Sequence, residues 1–74
     1  MSKHRLVADG KKLLWEGRYE NALSMFEQAL LLDEDDPDVW NYKGATLRSM
    51  GRYDEANECF NRSLLIDPRD RDSS

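Results

Sequence analysis

Gly17-Arg18-Tyr19-Glu20-Asn21-Ala22-Leu23-Ser24-Met25-Phe26 and Gly51-Arg52-Tyr53-Asp54-Glu55-Ala56-Asn57-Glu58-Cys59-Phe60 are two copies of one ten-residue plan, set 34 residues apart. Each opens on Gly-Arg-Tyr, places Ala sixth and Phe tenth. Carried outward, the same shift lays Gly10, Leu13, Leu30, Leu31, Asp33 and Asp36 on Gly44, Leu47, Leu64, Leu65, Asp67 and Asp70, so eleven of 34 positions are identical. Leu32 with Ile66 is a conservative pair. A fixed period of this length marks a stacked architecture rather than a conventional globule. The two copies are residues 3 to 36 and 37 to 70, followed by the polar Arg71-Asp72-Ser73-Ser74.

Each copy reads as two helices. Leu6, Gly10, Leu13 and Gly17 recur at steps of three and four, and after the Gly17-Arg18 break Tyr19, Ala22, Phe26, Ala29 and Leu30 do the same. The second copy repeats the plan with Trp40, Gly44 and Leu47, then Tyr53, Ala56, Phe60, Ser63 and Leu64. Period-two alternation is absent. Asp36 stands as N-cap before Pro37, Ser2 holds the same position one period earlier, and Asp54 and Glu55 put negative charge in the first turn of the last helix. Gly17 and Gly51 supply the left-handed residue that ends a helix, and the short breaks allow only tight antiparallel turns.

Trp40, Gly44, Ala56, Phe60 and Pro68 stand at the spacing of the tetratricopeptide repeat signature, on its 34-residue period. Over residues 3 to 70 the chain resembles that family. The departures are Leu6 in place of the signature Trp, Asp9 and Lys43 in place of Leu, Leu13 and Leu47 in place of Tyr, and Glu34 in place of Pro. None breaks a helix. The resemblance implies an all-α fold of two tandem helix-turn-helix repeats, four antiparallel helices in a short right-handed solenoid. A mid-helix glycine costs about 1 kcal/mol relative to alanine, so Gly10 and Gly44 point to close approach of a neighbouring helix. Ala22 and Ala56 are the residues expected opposite them. Asp9 and Lys43 share a register position and are expected to face each other across the repeat junction.

Composition removes several functions. With 74 residues, 15 acids, 11 bases and a net charge of −4, the chain is one small acidic unit. A folded chain of this size buries only about 60% of its unfolded surface, and one Cys and one His cannot build a disulfide or a structural zinc site. The longest apolar run, Ala29 to Leu32, falls far short of the roughly 20 residues of a membrane span, and the N-terminus has no segment of signal-peptide character. A cytoplasmic protein is expected, without membrane or nucleic-acid partners, since an acidic chain lacks the surplus of Lys and Arg that neutralises phosphates.

Catalytic constellations are missing: His4 and Cys59 lie on different repeats with no third orienting group, so no enzyme is expected. Cys59, beside Phe60, reads as a small core residue and His4 as a solvated first-turn residue. Counted as a calcium loop from Asp33, the acidic run to Asp38 puts Asp38 where Gly belongs and Gly44 where a bidentate Glu is needed, so no metal or other cofactor is expected. It reads as a solvated linker whose acids favour the next helix. Gly10-Lys11-Lys12 lacks the flanking residues of a phosphate loop, and Asn61-Arg62-Ser63 falls inside a helix.

In the family, the first helix of each repeat lines a concave groove that holds a peptide or helix of a partner. By that resemblance the groove residues here are Val7, Lys11, Leu14 and Trp15 with Asn41, Ala45 and Arg48. Trp15 lies outside the repeated apolar set, its counterpart being Ser49. Two readings of it stand side by side: an anchor for a partner side chain, or a cover for its own helix pair or an oligomer contact. Lys11 and Arg48 suit an acidic or C-terminal peptide, and Asn41 could bond its backbone. The family's carboxylate clamp is not reproduced, because it calls for Lys and Asn where this chain has Val7 and Lys11, for Asn at Tyr42, and for a third repeat. Repeat stacks are closed by a polar terminal unit, whereas only four residues follow the second copy. Phe60, Leu64 and Leu65 are therefore expected to form an exposed strip through which the chain becomes a homo-oligomer. The reading is a non-catalytic binding module, with structural self-assembly as the alternative.

Overall fold

The computed structural model describes residues 2–67, which form four helices in the order α1 (Lys3–Trp15), α2 (Tyr19–Leu32), α3 (Pro37–Ser49) and α4 (Tyr53–Ile66). Their limits follow from local chemistry. The Ser2 hydroxyl accepts the Arg5 amide at 3.2 Å, and the Asp36 carboxylate accepts the Asp38 amide at 3.0 Å ahead of Pro37. Gly17 and Gly51 take φ of 81° and 82°, the left-handed turn that reverses the chain. The amides of Arg18 and Arg52 then return to the carbonyls of Leu13 and Leu47, both at 2.9 Å. Pro68, Asp70 and the tail beyond lie outside the described residues.

Helix pairs α1–α2 and α3–α4 pack tightly, α2 packs on α3, and α1 touches α3 only lightly. The core has two parts. Leu6, Ala22, Phe26, Ala29, Leu30 and Val39 form the first, and Leu47, Ala56 and Cys59 the second, with half-buried Trp40 packed against both. The signature tryptophan is thus the joint between the repeats, and its indole N–H donates to the Glu34 carbonyl at 2.8 Å.

Two expectations are corrected by this packing. Phe26 and Phe60, rather than Ala22 and Ala56, press on the glycines: a Cβ at Gly10 would lie 2.6 Å from Phe26 Cε1, and one at Gly44 would lie 2.7 Å from Phe60 Cε1. An aromatic ring laid over the helix backbone fills the space that a side chain would take. Asp9 and Lys43 do not pair with each other, each being engaged by another residue. Lys43 Nζ is 3.7 Å from Glu27 Oε2 on α2, while Asp9 Oδ2 is 3.9 Å from Arg5 Nε one turn away.

Candidate functional site

Because α1 and α3 touch only lightly, a cleft of about 330 Å³ opens between their first halves, lined by His4, Val7, Lys11, Asp38, Val39 and Tyr42 among others. Tyr42 forms its floor, stacking on buried Phe26 with centroids 5.6 Å apart and planes at 17°. Lys11 Nζ sits 5.3 Å from the Tyr42 centroid, a cation–π arrangement that holds the ammonium over the groove. Thr46, fully buried one turn on, donates its hydroxyl to the Tyr42 carbonyl at 2.8 Å, so its polar group is satisfied within the core.

The rim of the cleft is fixed by the linker between α2 and α3. Lys3 Nζ contacts Asp33 Oδ2 and Asp36 Oδ2, each at 2.9 Å, tying the start of α1 to the acidic turn. Hydrogen bonds to Asp36, then to Asp33, hold the Lys3 ammonium above the usual lysine range, and the Lys3 contact followed by the Asp35 amide holds the Asp33 carboxyl below the usual carboxylate range. The acidic run is therefore a fastener as well as a helix cap. Among the described residues no group of His, Cys, Asp and Glu is arranged to hold a metal.

The structure brings Val7 and Lys11 together in this cleft and leaves the other expected groove residues outside its lining. Leu14 is half-buried against the first core, and Trp15 is 88% exposed at the end of α1. Asn41 and Arg48 are exposed and Ala45 half-buried on α3. Asn41 and Arg48 are the counterparts of Val7 and Leu14 one repeat on. Tyr42 is the groove residue that sequence reasoning misses, although a signal is available: it replaces Ala8 and, like Trp15, stands outside the repeated apolar set.

A second cleft, about 350 Å³, lies behind the groove among α2, α3 and α4, and includes Trp40, Lys43, Leu47, Cys59 and Arg62. Its charges are largely engaged: Lys43 with Glu27, Arg52 with Glu55 at 2.6 Å, and Lys43 and Arg62 at 5.4 and 5.5 Å from the Trp40 centroid. Burial pushes the Cys59 thiol above its usual range, away from nucleophilic reactivity. This cleft reads as inter-repeat structure.

Antiparallel helix pairs in tandem, joined by a half-buried tryptophan and open along one side, define an α-helical repeat protein. The tetratricopeptide repeat profile matches residues 13–73, and the chain belongs to that family, whose members generally serve as protein–protein interaction modules. A comparison with curated proteins finds no match. Among the described residues no helix is long and apolar enough to cross a membrane.

Proposed function

We propose that this chain is a non-catalytic module that holds an extended, acidic peptide of a partner protein along α1 and α3. The observation that carries the reading is the cleft where Lys11 is poised on the Tyr42 ring above a floor stacked on the core. A preformed apolar floor with one presented cation can seat a side chain and pair with its neighbouring carboxylate at little ordering cost. Val7 and Leu14 supply the apolar wall, Trp15 an exposed anchor at one end, and Asn41, Ala45 and Arg48 continue the surface along α3. The module works inside the cell and needs no cofactor.

Selection from a random peptide-display library tests this. Peptides retained by the chain should be enriched in Asp and Glu and should lose at least about tenfold in affinity, roughly 1.4 kcal/mol, against Lys11→Glu/Arg48→Glu with helix content unchanged. Enriched peptides that bind the doubly reversed protein equally well would remove the reading. A second reading, self-assembly through the α4 end, is favoured by a different observation: Leu64 is 39% exposed where its counterpart Leu30 is 8% exposed.

A further inference from the structure

The cleft between α1 and α3 carries opposite charge at its two ends. Lys11 lines one end, Lys3, Asp36 and Asp38 line the other, and Val7, Val39 and Tyr42 supply the apolar part. This order follows from helical register. Val7 and Lys11 stand one turn apart on α1, Asp38 and Tyr42 stand one turn apart on α3, and α1 and α3 run in the same direction. The contact of Lys11 Nζ with the Tyr42 ring, 5.3 Å from its centroid, fixes the ammonium over the later turn of both helices. The Asp38 carboxylate belongs to the earlier one.

The two ends also differ in how their charge is balanced. Among the described residues Lys11 forms no salt bridge, its ammonium resting on the Tyr42 face. At the other end Lys3 Nζ is shared between Asp33 and Asp36, 2.9 Å from an oxygen of each, and Asp38 adds a third carboxylate. One lysine faces three aspartates. His4 lines this end too and adds at most one further base, so the end stays negative among the described residues. A ligand that is acidic along its whole length gains at Lys11 and is repelled one turn away.

We propose that the peptide held in this cleft carries both charges in a fixed order: Asp or Glu on Lys11, an apolar side chain on Val7, Val39 and Tyr42, and Lys or Arg against Asp36 and Asp38. The inference rests on the peptide-binding reading above and deepens it by setting the ligand's register. Alternate side chains of an extended chain share a face and lie about 6.6 Å apart. One helical turn is about 5.4 Å, so that step matches the spacing from Val7 to Lys11 and from Asp38 to Tyr42. The motif is therefore acid-x-apolar-x-base, in either chain direction. The paired charges add little to the affinity, because exposed ion pairs are weak. Their effect is to select the register and to reject ligands of a single sign.

Selection from the same random peptide-display library on wild type and on Asp38→Lys tests the order. Peptides retained by wild type should carry Lys or Arg across an apolar residue from their acid, and replacing that base by Glu should weaken binding about fivefold, an effect that salt reduces. On Asp38→Lys the base should give way to Asp or Glu while the acid facing Lys11 stays. Asp38→Asn, which keeps the side-chain shape, should lose the preference for a base with helix content unchanged, so the test does not depend on the lysine variant folding. Acid enrichment without the base, or a base preference that survives in both Asp38 variants, would overturn the charge order and leave the acidic-peptide reading standing. Retained peptides with no acid enrichment at all would overturn both.

Discussion

Replacing Gly10 and Gly44 by alanine separates packing from propensity, because both glycines sit mid-helix under a phenylalanine ring and differ in what lies behind that ring. A Cβ at Gly10 would be 2.6, 2.9 and 3.0 Å from three atoms of Phe26, and one at Gly44 would be 2.7, 2.9 and 3.0 Å from three atoms of Phe60. Each ring would have to retreat by about 1 Å to reach ordinary carbon contact at about 3.5–4.0 Å. Phe26 is fully buried with Tyr42 stacked on it, so its retreat displaces the groove floor. Phe60 is half-buried on the exposed α4 face and can tilt outward. Overpacking costs about 1–3 kcal/mol where neighbours are fixed, while alanine over glycine returns about 1 kcal/mol of helix propensity. Gly10→Ala should therefore lose up to about 2 kcal/mol net, and Gly44→Ala should fall within about 0.5 kcal/mol of wild type. In a chain of this size the first corresponds to a fall in Tm of up to roughly 15 °C. Thermal and urea unfolding followed by circular dichroism at fixed low concentration reads both. Equal losses at the two sites, or a larger loss at Gly44, would refute the claim that the outer flank of Phe60 is free.

Cys59 should react with iodoacetamide at least about tenfold more slowly in the native chain than in urea, because a buried, protonated thiol is reached only when α4 opens. The Lys3 fastener has a defined pH window. Asp33 is held below its ordinary value, so its contribution is present above the unfolded aspartate pKa of about 3.9 and is lost as pH falls through the lower native value. Lys3 is held above its ordinary value, so its contribution is present below about 10.4 and is lost as pH rises through the higher native value. The Tm difference between wild type and Lys3→Met should be flat between these limits, shrink outside them, and weaken with salt, as befits an exposed pair. Trp15→Ala should leave Tm unchanged, since the side chain is 88% exposed, while lowering peptide capture in the display assay.

The helices were legible because each boundary is local chemistry: a cap at Ser2 or Asp36, and a left-handed glycine at position 17 or 51, adjoin a 3.6-residue apolar rhythm. The repeat then supplied the family, since identical residues at a 34-residue shift must do the same packing work twice. What it could not supply was the partner of each side chain. Lys43 finds Glu27 instead of Asp9, and Phe26 instead of Ala22 presses on Gly10, because a repeat relates equivalent positions and not the positions that touch. The groove shows the same limit. Val7 and Lys11 follow from helical register, but the Tyr42 floor exists only because α2 delivers Phe26 beneath it.

Sequence alone therefore determined the four helices, the repeat and the family, all of which depend on periodicity and on backbone preferences within a few residues. The tertiary structure alone decided which side of each repeat is covered. Leu30 and Leu64 are the same residue at the same repeat position, and only the neighbour that α3 provides to one of them makes the first core and the second surface.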